Sequence, residues 1–133
     1  MKRTFIAVTM LWLCTSVVAA PPDGKVLYQE NCASCHGQNG KGDTGPKLVG
    51  DASEWKPKLF ERAVLNGIDD QGKSLKSPMP HWSGVSFKTD GGVAPSKAEV
   101  DAIQHYLRTL RDGIKKTSLG AVNLFGKLLT LVI

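Results

Sequence analysis

Two thiols and an imidazole stand together at Cys32-Ala33-Ser34-Cys35-His36. Cysteines three positions apart lie on roughly one side of a helical turn, so their sulfurs can reach the two vinyl groups on one porphyrin edge. A histidine directly after the second cysteine is then held under the iron by the tether itself. This spacing is the sequence sign of covalent haem attachment and predicts an electron-carrying haem chain. Cys-x-x-Cys alone would also suit a redox dithiol or half of a zinc site. A redox dithiol has no use for His36, and a tetrahedral zinc site would want a second cysteine pair, which this chain lacks.

The residues around the motif predict where that chemistry takes place. Met1-Lys2-Arg3 is a basic start, Phe5 to Val18 is apolar, and Val17-Val18-Ala19-Ala20 offers small residues for cleavage. Residues 1–20 therefore read as a secretory signal, cut after Ala19 or Ala20, with a retained membrane anchor as the alternative. Cys14 follows Leu13 rather than a small residue, does not look like a lipid-attachment cysteine, and leaves with the signal. Of the three cysteines and three methionines, processing leaves Cys32, Cys35 and Met79. A disulfide-rich scaffold is excluded, and a periplasmic or otherwise extracytoplasmic location follows. The formal net charge is +5, and the signal's Lys2 and Arg3 contribute to it. So mild a balance, without interleaved aromatic and basic residues, gives no reason to expect nucleic acid as a partner.

A domain over residues 21–112 is small enough to need help with its core, and a flat apolar cofactor supplies it. Asp23 to Cys35 reads as a first helix, capped by Asp23 after a proline pair, with Val26, Leu27 and Tyr28 among its residues. Gly37 to Gly50 is rich in glycine and reads as a tight loop over the cofactor face. Pro46 within it is placed to offer its carbonyl to the His36 ring, the bond that orients a metal-binding histidine. A second helix, capped by Asp51 or Ser53, has Pro57 in its first turn, buries Leu59, Phe60, Ala63 and Val64, and stops at Asn66-Gly67. Ile68 to Pro95 is broken by glycines and prolines and reads as a loop wrapped on a cofactor. Ser96-Lys97-Ala98-Glu99 is a capping box that opens a final helix with Val100, Ile103, Tyr106, Leu107 and Leu110 inward, ending at Asp112-Gly113.

At these residues the chain resembles class I cytochromes c, small bacterial monohaem proteins, over about Gly24 to Leu110. In that family a glycine and an aromatic precede the first cysteine by eight and four positions, where the first and last helices cross. Gly24 and Tyr28 stand there, and Ile103, Tyr106 and Leu107 match the other side of the crossing. Pro46 matches the proline that supports the proximal histidine. Ser77-Pro78-Met79-Pro80 looks like the segment that carries the distal methionine. The resemblance implies an all-α fold of three main helices and loops around one covalent haem c. Cys32 and Cys35 would be its thioethers, and His36 and Met79 its axial ligands. His81 is the rival distal ligand, and His105 a weaker one.

With a closed His/Met pair the iron has no open position, and outer-sphere electron transfer is the expected task rather than enzymatic turnover. The chain would then act as a periplasmic carrier or as the cytochrome subunit of an exported oxidoreductase, between a dehydrogenase donor and an oxidase or other acceptor. A labile sixth ligand would instead suit a haem enzyme or a gas-binding protein. Lys41, Lys47, Lys73 and Lys76 flank the segments expected at the haem rim and could steer an acidic partner. Residues 113–133 form an apolar tail in which Leu119, Val122, Phe125, Leu129 and Val132 recur at helical spacing. Residues 117–133 read as an amphipathic helix for a membrane surface or partner subunit, or one packed back on the domain.

Overall fold

The computed structural model describes residues 20–129, with side chains up to residue 116. The expected signal, Ala20 apart, and the tail side chains beyond residue 116 lie outside the described residues. The described chain is helical: α1 (Gly24–Asn31), α2 (Ala33–His36), α3 (Pro57–Asn66) and α4 (Lys97–Leu129). Short 3-10 turns stand at Ala52–Glu54 and Trp82–Gly84. Among the described residues the only β pairing is an isolated bridge between Ile68 and Ser74.

Asp23 caps α1, its carboxylate accepting from Lys25 N–H at 2.9 Å and Val26 N–H at 3.2 Å. The single helix expected from Asp23 to Cys35 is divided at Cys32, where φ widens to −116° with ψ at −35°. Asn31 donates its side-chain amide back to Leu27 O at 2.9 Å, a local bond that competes with the helical ladder just before the break. Leu27 and Tyr28 are buried, whereas Val26 is exposed.

The cap expected for α3 at Asp51 or Ser53 belongs elsewhere. α3 begins at Pro57 behind Lys56, with no side-chain cap; proline at the first position needs no N–H partner. Asp51 and Ser53 instead shape the preceding 3-10 turn, where the Ser53 hydroxyl accepts from Gly50 N–H at 3.0 Å. α3 stops where expected, at Gly67 in the left-handed conformation (φ 66°, ψ 35°).

The capping box of α4 is formed, with Ser96 N–H donating to Glu99 Oε2 at 2.8 Å and Glu99 N–H to Ser96 Oγ at 3.3 Å. Asp112-Gly113, expected to end α4, does not. The helix continues to Leu129, and Gly113 has none of the positive φ that ends α3 at Gly67. A glycine inside a helix costs only about 1 kcal/mol relative to alanine, and no proline follows to force a stop.

α1 and α4 cross where a Cβ on Gly24 would overlap the carbonyl oxygen of Ala102, so only glycine allows the approach. Tyr28 and Tyr106 meet beside it with ring centroids 5.6 Å apart. Tyr28, Val100, Ile103 and Leu107 are almost completely buried and form the centre of the core. α3 and the 3-10 turn at 52–54 close on the other side of α4 and leave a cleft toward α2.

Candidate functional site

The cleft holds two adjoining cavities, an inner one of about 110 Å³ and an outer one of about 530 Å³. Both are walled by Cys32, His36, Pro46, Met79 and Trp82. The inner one continues between Leu48, Ala52, Trp55, Phe60 and Val64, and the outer one opens past Cys35, Lys76 and Pro78. The larger volume lies in the range of cofactor pockets.

His36 is 6% exposed, and its Nδ1 lies 2.8 Å from Pro46 O. A carbonyl can only accept, so Nδ1 carries the proton and Nε2 keeps its lone pair for a metal. The loop that delivers Pro46 is held by backbone bonds to the helix bearing His36. Gly42 N–H donates to His36 O at 2.9 Å, and Gly45 N–H to Cys35 O at 2.7 Å. Several glycines here are needed for turn geometry, with positive φ at residues 37, 40, 42 and 50. Tyr28 ties in the start of the loop by donating to Gly37 O at 2.6 Å. Its phenol is pushed up to about 12, chiefly by burial and then by Cys32.

Cys35 is exposed at the mouth and Cys32 lies deeper. Burial, with a smaller effect from Cys35, pushes the Cys32 thiol up to about 12. It is therefore a neutral thiol at physiological pH. Neither cysteine is in a disulfide.

Met79 is half-buried against the core, and it joins His36 on the cavity walls. His81 does not line either cavity. Its ring lies over Gly67, so closely that a Cβ there would overlap it. His105 is exposed on α4 and is also absent from the walls. Of the rim lysines, Lys47 lines the inner cavity and Lys76 the outer; Lys41 and Lys73 are exposed and line neither.

Sequence reasoning passed over two features. Trp82 is buried on the wall of both cavities and packs edge-on against Phe87, with centroids 4.8 Å apart. An aromatic just past Pro78-Met79-Pro80 in a polar stretch was the available signal. The second is a polar clamp from α4. Buried Gln104 donates to Ser53 O at 3.3 Å and Trp55 O at 2.9 Å. Arg108 donates to the same carbonyls at 2.7 and 2.9 Å. The clamp seats the turn that carries Ala52 and Trp55 into the inner cavity, and no local pattern marks Gln104 for it.

The donor set suits a covalently tethered haem. Two thiols stand at one edge, an imidazole has a free nitrogen, a thioether shares the walls, and the lining between them is largely apolar. Among the described residues no group of three or more His, Cys, Asp or Glu could hold a bare metal ion.

Comparison with known proteins leads to the same place. Residues 19–107 match the family described as cytochrome c oxidase, cbb3-type, subunit III. The chain is 32% identical over 97 residues to the cbb3-type cytochrome c oxidase subunit FixP of Azorhizobium caulinodans, covering 68% of this chain and 29% of the relative. It is 32% identical over 57 residues to cytochrome c-551 of Bacillus subtilis, covering 43% of this chain and 51% of the relative. It is 34% identical over 67 residues to cytochrome c55X of Pseudomonas aeruginosa, covering 50% of this chain and 51% of the relative. The chain thus spans about half the length of these two small cytochromes and less than a third of FixP. No solved structure gives a significant match. With a helical fold, a cavity walled by Cys32, His36 and Met79, and a family match over most of its length, the chain belongs to the cytochrome c family, cbb3-type, whose function is haem-based electron transport.

Proposed function

We propose that the chain carries one haem c, joined through Cys32 and Cys35 and ligated by His36 and Met79. In this reading it passes single electrons outside the cytoplasm, either as a free carrier or as the cytochrome subunit of an oxidase complex. The observation that supports it best is the bond from His36 Nδ1 to Pro46 O on a wall shared with Met79. It fixes the tautomer that leaves Nε2 available, while the apolar lining excludes water from the opposite face. The haem supplies a one-electron couple, and the protein holds its ligands still and keeps the reorganisation on electron transfer small.

The oxidase assignment draws on the name of FixP, and the acceptor is a terminal oxidase in that case. Lys76 beside the cavity mouth gives the approach surface a positive charge that would favour an acidic partner. The continuation of α4 as far as Leu129 offers a second contact, on a membrane surface or a partner subunit. No helix among the described residues is long and apolar enough to cross a membrane.

The optical spectrum of the full chain, produced with haem-attachment machinery, tests the reading. A c-type pyridine haemochrome at one haem per chain is expected, with a far-red Met-to-iron band in the ferric form that disappears in Met79→Ala. The ferrous protein should bind carbon monoxide slowly and incompletely. Rapid stoichiometric binding would overturn the carrier reading in favour of a gas-binding or catalytic haem protein.

A further inference from the structure

Gly67 ends α3 in the left-handed conformation, which glycine adopts freely and asparagine also accepts at a helix end. Its surroundings are stricter than its backbone. Gly67 is buried, and a Cβ built on it would overlap Nε2 and Cδ2 of the His81 ring. Asparagine would satisfy the helix end but not this contact. Two requirements therefore meet at position 67, and the second concerns His81 alone.

His81 stands two positions after Met79 and directly before Trp82, and both of those neighbours line the cavities while His81 lines neither. The segment is lightly held by its own backbone: Met79 N–H makes a 3.3 Å bond to Lys76 O, and Gly84 N–H a 3.0 Å bond to His81 O. The surface that receives the His81 ring is firmer. Gly67 N–H is bonded to Ala63 O at 3.0 Å, Leu75 N–H donates to Gly67 O at 2.7 Å, and Ala63, Val64 and Leu75 are themselves part of the inner cavity wall. Ligand chemistry makes this placement consequential. Imidazole suits iron, whereas a neutral thioether is a soft donor that favours the reduced metal. An imidazole tethered two residues from an axial thioether competes with it at high local concentration. A site that is to keep Met79 on the metal must keep His81 away from it.

We infer that Gly67 is a positioning residue that docks the His81 ring on the end of α3 and thereby reserves the distal position for Met79. This rests on the haem reading above, with Met79 as the ligand. Any side chain at position 67 displaces the ring, and the far end of a surface histidine moves more readily than the backbone beneath it.

The ferric holoprotein provides the test, with haem content and the wild-type far-red band recorded first; a wild type lacking either fails the underlying reading, and the variants then address Gly67. Gly67→Asn, which keeps a residue accepted at the helix end, should lose the Met-to-iron band and acquire the low-spin paramagnetic resonance of bis-imidazole iron. Its redox equilibrium should shift toward ferric. His81→Ala alone should keep the band, and the double variant Gly67→Asn/His81→Ala should regain it. Retention of the band in Gly67→Asn overturns the inference. So does its loss in both Gly67→Asn and the double variant, which would lay the effect on the helix end itself. Should Gly67→Asn fail to mature, wild type and His81→Ala are compared in denaturant below the unfolding transition. Replacement of the band by the bis-imidazole signal only in the chain that has His81 is expected, and the same ligand state in both chains overturns the inference.

Discussion

On the proximal side of the cavity, His36 is held at Nδ1 by Pro46 O, and the strand of loop bearing that carbonyl is bonded back to Cys35 and His36. On the distal side, the segment from Lys76 to Pro80 is mostly exposed, and Met79 N–H makes a 3.3 Å bond to Lys76 O. Its anchors are side chains, Met79 and Trp82, packed against the core. Backbone bonds build the first wall, whereas the second wall rests on side-chain packing. Segments held by few hydrogen bonds and a small apolar footprint open at lower free energy than the elements around them. The His36 wall is thus the preorganised half of the site, and the Met79 wall is the half that opens more easily.

The most severe way to break this comparison is His36→Ala, which should abolish stable haem incorporation, read as the absence of a haem-stained band of the mature size. A chain that kept a normal c-type spectrum would remove the distinction between the walls. Gly24→Val comes next, since its side chain must push α1 away from the Ala102 carbonyl. Overpacking at such a crossing should cost about 3 kcal/mol or more, measured by denaturant unfolding of the holoprotein. Met79→Ala should leave the haem attached but abolish the far-red band and destabilise the ferric form by about 2 kcal/mol. If it lost the haem as His36→Ala does, the distal wall would be as indispensable as the proximal one. Gln104→Ala should cost about 1 kcal/mol, because Arg108 still serves both carbonyls. Smallest is Glu99→Gln, below about 1 kcal/mol. Ser96 holds the Glu99 carboxyl below the usual carboxylate range. Its contribution is therefore present at neutral pH and fades as acid protonates it, so the variant should flatten that part of the stability profile.

Reading the chain succeeded wherever the cause was local. The Asp23 cap, the glycine stop at Gly67 and the Ser96–Glu99 box each depend on residues within one turn, and each forms as expected. The errors share a different origin. Asp112-Gly113 carries the same local signal as Asn66-Gly67, yet only Gly67 adopts the left-handed conformation, because the chain after it turns to bring Leu75 N–H onto Gly67 O at 2.7 Å. Nothing local distinguishes the two glycines. Ser53 looked like a helix cap from its place before Pro57, but its carbonyl is claimed by Gln104 and Arg108 from 51 and 55 residues away.

The sequence by itself determined that Cys32, Cys35 and His36 stand together, since they owe their relation to a single turn of backbone. Gly24 permits the close crossing of α1 and α4 that the family resemblance implied, and the structure shows it at the Ala102 carbonyl. Only the tertiary structure decided that Met79 stands on the cavity wall while His81, two residues on, is turned onto Gly67. Only it decided that Trp82 reaches that wall with an unpaired N–H. Those outcomes depend on how an irregular segment of low periodicity packs against helices far away in the chain, and spacing along the sequence carries no record of that packing.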